Sequence, residues 1–176
     1  IAISMRRMLI LASFASIALV SLSIALIGPS LPSIGDELSL SLQDLGLVAG
    51  SFSVGFLFSI VGGFLSDRFG RTTILTLGLL FLSLGTGFVS FSIDIKSIVF
   101  FLIVAGLGAS FIAATVNPII TKLFPDKPAM ALNVLHFFFS VGAFIGPILA
   151  GFIVSVGLNW RVSYEIASLL CIPVLV

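Results

Sequence analysis

Charge is scarce in this chain, and its scarcity excludes more than any single motif does. Of 176 residues, 8 are lysine or arginine and 7 are aspartate or glutamate, 9% in all, where an ordinary soluble domain carries about a quarter. So little charge cannot cover a water-facing surface, and 59% of the residues are hydrophobic. With a net charge of +1 and no basic patch there is nothing to hold a phosphate backbone, so nucleic acid is excluded as a partner. The single cysteine, Cys171, lies in an apolar run and is expected to pack among helices; neither a disulfide framework nor a thiolate metal site can be built from it. The single histidine, His136, leaves no metal-ligating cluster, and no cofactor or metal is expected. A membrane-integral enzyme would need grouped His, Asp, Glu or Ser at bilayer depth, so the chain does not read as an enzyme.

What is present is a series of long apolar runs. A helix needs about 20 apolar residues to cross the hydrocarbon core, because backbone groups left unpaired in lipid are too costly. The runs predict spans at 8–31, 43–65, 73–93, 97–121 and 130–156, and a sixth at 162–176 that is cut short. Charges and turn residues fall in the intervening breaks at 32–37, 66–72, 94–96, 124–128 and 157–161. Arg6 and Arg7 before the first run could suggest a secretory leader, but the run from Met8 to Ile27 is too long and no small-x-small cleavage site follows it. Beginning at Ile1 and ending inside an apolar run, the chain is expected to be part of a longer one.

Short breaks force neighbouring spans to run antiparallel, and the basic residues then sort by side. Arg6, Arg7, Arg68, Arg71, Lys122 and Lys127 fall on one face, while only Lys96 and Arg161 fall on the other, beside Asp36, Glu37, Asp44 and Asp94. By the positive-inside rule the amino terminus is cytoplasmic, in the plasma membrane, with several passes. A weak internal repeat runs at an offset of 89 residues: Gly28-Pro29 falls on Asn117-Pro118 and Gly62 on Gly151. Three spans repeated with inverted topology, interrupted by Gly and Pro at matching places, are how secondary transporters frame a site at the midplane.

The segment Gly63-Phe64-Leu65-Ser66-Asp67-Arg68-Phe69-Gly70-Arg71 resembles the cytoplasmic motif between helices two and three of the major facilitator superfamily. The run from Gly142 through Gly146-Pro147 to Gly151 resembles that family's helix-five motif, and Asn159-Trp160-Arg161 the usual start of helix six. The resemblance implies an all-α membrane protein, the six-helix half of a twelve-helix fold with a 3+3 inverted repeat, working by alternating access against a C-terminal six-helix half. One departure is that the segment 104–109 lacks the arginine common in the family's helix four. Residues 117–124 and 131–143 are similar in part to the fucose–proton symporter type of sugar permease. That likeness implies a small sugar-like solute and a coupled proton or sodium ion; an exporter of drugs or metabolites by proton antiport is the alternative, ahead of a non-transporting sensor.

Gly63, Asp67, Arg68, Gly70 and Arg71 are the candidate conformational latch, since an aspartate between glycines does more than mark topology. Gly142, Gly146, Pro147 and Gly151 form a helix-five hinge or, alternatively, a static seam. Asn117, Asn133 and His136 are the substrate-binding candidates, because amide and imidazole groups suit neutral hydroxylated solutes; a hydrogen-bonded clamp between helices four and five is the competing reading. Serines in the spans are weak candidates, since most bond back to their own backbone. No acid stands mid-span in the five complete runs, which makes Glu165 the coupling candidate, unless it simply pairs with Arg161. His136 is the one side chain here that titrates near neutrality.

Overall fold

The computed structural model describes residues 3–175, so Val176, the last residue of the expected sixth span, lies outside the described residues. Eight α-helices follow in order: α1 Ile3–Ala25, α2 Ile27–Leu38, α3 Leu42–Phe56, α4 Ser59–Phe69, α5 Arg71–Val89, α6 Ile95–Leu123, α7 Pro128–Ser155 and α8 Arg161–Cys171, with a single 3-10 turn at Ile172–Val174. The pairs α1–α2 and α3–α4 form broken rods, so five rods are long and apolar enough to cross a membrane: Met5–Leu38, Leu42–Phe69, Arg71–Val89, Ile95–Leu123 and Pro128–Ser155.

Two of the expected breaks are helical instead. Residues 32–37, read as a turn, belong to α2. The rod keeps helical dihedrals through Leu26, whose amide bonds the Leu22 carbonyl, and Pro29 only leaves the Ala25 carbonyl without its helical donor. The chain turns only at Ser39, which adopts the left-handed conformation at φ 51 while the amides of Ser39 and Leu40 reach back to the Gly35 carbonyl. The charged break at 66–72 likewise contracts to one residue. Asp67 and Arg68 lie in the last turn of α4 and Arg71 begins α5, so Asp67 is inside a helix rather than past its end. Only Gly70 stands between, with φ +92, a conformation open to glycine and strained for other residues.

Helix starts are set by local chemistry. Ser41 and Asp44 form a reciprocal capping box on α3, and Asp94 with Ser97 one on α6. The Ser97 hydroxyl and then its backbone amide hold the Asp94 carboxyl below its usual range. A lowered carboxylate supports the fold above its unfolded pKa and loses that support as pH falls through the folded value. Asp94→Ala should therefore speed exchange of the Ser97 amide at neutral pH, whereas the parent protein should do so only in acid; hydrogen exchange measured across pH checks both.

Packing is centred on α6, which sits against α3 and α4 on one side and α5 on the other. Without a hydrophobic drive between helices in lipid, close approach depends on small residues, and they stand at each crossing. A Cβ built on Gly106 would lie 2.0 Å from the Phe52 carbonyl oxygen of α3, and one on Gly108 would lie 2.3 Å from the Leu82 nitrogen of α5. Gly55 and Gly85 meet α6 from the other side in the same way. The α1–α7 seam repeats the device, with Gly142 against Ala18 and Ser21 and Gly146 against Leu22 and Ala25. Between α5 and α8, each serine of the pair Ser83 and Ser168 donates to the other's backbone carbonyl, at 3.0 and 2.8 Å. Cys171 is buried, as its apolar setting predicts.

Candidate functional site

Three places in the bundle hold the residues that the sequence singles out. The first is the end that carries Arg6, Arg71 and Lys122. Here Asp67, Gly70 and Arg71 line a cleft of about 480 Å³ together with Leu9, Ser66, Thr72, Ile119, Lys122 and Leu123. Arg71 is part-buried and donates to the Pro118 carbonyl at 3.2 Å, and Arg6 donates to the Leu123 carbonyl at 2.6 Å, so two arginines cap the end of α6. Arg68 points away, with its guanidinium 5.5 Å from the Phe69 ring centroid. Gly63 faces open space. Asp67 is exposed and makes no hydrogen bond or ion pair among the described residues. A carboxylate in the last turn of a helix faces the negative end of the helix dipole, so within the described residues Asp67 brings no local advantage.

The second place is the exposed side of α6 and α7. Asn117, Asn133 and His136 are all exposed, and none of their side chains has a hydrogen-bond partner among the described residues. The clamp that would have joined α6 to α7 through them is therefore not formed. Asn133 and His136, three residues apart, share a face of α7. That helix runs unbroken through Pro147, whose missing N–H leaves the Ala143 carbonyl without its helical donor. Gly142 and Gly146 are pressed onto α1, whereas Gly151 has nothing within 4 Å of a would-be Cβ. Gly62, its counterpart in the internal repeat, is packed against Phe111 and Ala114, so that half of the match is not structural. Most span serines behave as expected: Ser13, Ser16, Ser21, Ser51 and Ser110 each donate to a carbonyl three or four residues back, whereas the buried Ser23 hydroxyl has no partner among the described residues.

The third place is the opposite end of the bundle. Arg161 does not pair with Glu165, which is exposed on α8 without a partner among the described residues. It forms an ion pair with Glu37 at the end of α2. The sequence reading missed this role of Glu37, since 124 residues separate the two partners and no local pattern links them. The presence of Lys122 in the cleft at the basic end was missed for the same reason.

A helical bundle with glycine-lined crossings, charges confined to the rod ends and a charged corner at Gly70 defines a class of membrane protein. The chain belongs to the Major Facilitator Superfamily, whose family model matches residues 13–176. It is 31% identical over 142 residues to a hexuronate transporter of Bacillus subtilis, covering 79% of this chain and 33% of that protein. It is 26% identical over 143 residues to the quinolone resistance protein NorA of Staphylococcus aureus, covering 80% of this chain and 37% of that one. Among solved structures it superposes on the proton:xylose symporter XylE bound to 6-bromo-6-deoxy-D-glucose with a TM-score of 0.83 at 16% identity, over 98% of this chain and 44% of that one. The chain thus spans about a third of the length of the curated relatives it matches. Its fold is the all-α, six-helix half of the major facilitator fold.

Proposed function

We propose that the chain is the N-terminal half of a secondary transporter that moves a small, sugar-like solute across the plasma membrane by alternating access, with its amino terminus in the cytosol. The observation that carries this reading is that the polar side chains of Asn117 on α6 and of Asn133 and His136 on α7 are exposed and unbonded among the described residues, with acidic and basic residues restricted to the rod ends. An amide and an imidazole exchange hydrogen bonds readily with hydroxyls. The described spans offer no fixed cation at mid-depth, so an acidic sugar would need its counter-charge from a second six-helix half. In this reading that half closes the cavity, Asp67 and Arg71 clasp it at the cytosolic face, and α7 flexes near Pro147 as the halves rock. Glu165 and His136 are the groups that would exchange a coupling proton; sodium is the other candidate ion.

Proteoliposomes of the membrane-inserted protein test the reading. Radiolabelled hexoses and hexuronates should exchange across the vesicle wall, and His136→Ala or Asn133→Ala should raise the KM by about tenfold, the loss of one hydrogen bond to substrate. The similarity to the quinolone resistance protein NorA favours a second reading, export of a drug or metabolite by proton antiport. In that case sugars would not exchange, and a quinolone would move opposite to protons flowing down an imposed gradient.

A further inference from the structure

The triplet Asn159-Trp160-Arg161 is left without a task by the reading above, yet it converges on one carboxylate. Glu37 accepts from Trp160 Nε1 at 2.8 Å, from Asn159 Nδ2 at 3.4 Å and from Arg161 through the ion pair. The Arg161 guanidinium also donates to the Ser92 carbonyl beyond α5 at 2.7 Å and lies 4.5 Å from the Trp160 ring centroid. Asn159 is itself oriented by accepting from the Arg161 amide at 3.0 Å. Beneath these groups Trp160 is 2% exposed and meets Tyr164 edge to face. Three elements, the ends of α2 and α5 and the start of α8, are thereby tied through Glu37 and Arg161. Charge-assisted bonds of this kind are the strong ones.

The element tied down also carries two weak points in its own backbone ladder. The first rod stays helical through Leu26, but Pro29 and Pro32 deny the Ala25 and Gly28 carbonyls their helical donors. Gly28 and Pro29 are exposed, and nothing lies within 4 Å of a Cβ built on Gly28. A helix of 12 residues is about 18 Å long. A tilt of about 15° at its base would carry the far end about 5 Å.

We propose that Glu37, gripped by Asn159, Trp160 and Arg161, is a clasp that pins α2 to the start of α8 and the end of α5, and whose release lets the far part of α2 swing about the Gly28–Pro32 segment. Glu37 is a positioning residue, acting through the helix it holds. The purpose of the swing rests on the transporter reading, in which α2 guards the non-cytosolic mouth of the cavity; the clasp itself does not depend on it.

The test needs no substrate. Ile34 on α2 is buried, so a cysteine placed there reports whether α2 is seated. In nanodiscs, Ile34→Cys should react slowly with a water-soluble maleimide, and adding Glu37→Gln should raise the rate about tenfold. Adding Arg161→Gln to Glu37→Gln should give no further rise, because both break one junction. Arg161→Lys keeps the charge but loses the forked grip, and should raise the rate to an intermediate value with a monodisperse elution profile. Fast labelling in the parent, or a Glu37→Gln rate equal to the parent's, would overturn the clasp. A normal labelling pattern without any transport would instead count against the transporter reading alone.

Discussion

Gly106→Leu should prevent the bundle from assembling, whereas Gly151→Ala should leave it intact. At Gly106 the first added carbon would sit 2.0 Å from the Phe52 carbonyl oxygen and 2.9 Å from the carbon bonded to it. Overpacking costs about 1–3 kcal/mol even where side chains can yield; here the obstacle is backbone, and α3 would have to leave its seat on α6. Gly142→Leu should fail similarly, since its added carbon would meet the Ala18 carbonyl oxygen at 2.0 Å. At Gly151 the new methyl meets nothing within 4 Å. Thermal unfolding followed by size-exclusion chromatography in mild detergent separates the cases: aggregated or degraded protein for the two leucines, and an unchanged transition for Gly151→Ala. An unchanged transition for Gly106→Leu would mean that α3 and α6 are not seated as described.

Asp67→Asn should lower transport by roughly tenfold or more without loss of folded protein. Asp67 is exposed, has no partner among the described residues and stands at the dipole end that disfavours an anion. Removing its charge costs the bundle nothing locally, so a large functional deficit would have to come from a partner outside it. Arg71→Ala is the contrasting case, because it also removes a hydrogen bond to the Pro118 carbonyl, and should lower both transport and the thermal transition. Parent-like transport by Asp67→Asn would remove the latch from the mechanism.

The rods were legible because lipid imposes one simple rule, and the apolar runs obey it from Met5 to Ser155. Their ends were less legible. Pro32 and the acids at 36 and 37 look like a turn to local inspection, but the backbone stays helical to Leu38 and turns only at Ser39. At Asp67 and Arg68 charge suggested a loop, although a single glycine with positive φ is enough to turn the corner. The candidate polar residues were visible by type, and the structure leaves them exposed on α6 and α7. The junction at Glu37 was not visible, since its partners lie 122 to 124 residues away and only the tertiary fold brings the end of α2 to the start of α8.

Gly106 and Gly108 are two residues apart and so present nearly opposite sides of α6 to α3 and α5. A helix notched on both flanks needs a neighbour at hand on each side to close onto it. The chain emerges with α3, α4 and α5 ahead of α6, and amino-terminal parts fold first during synthesis. The order of the elements therefore suits assembly at the ribosome: the groove is made before the wedge that fills it.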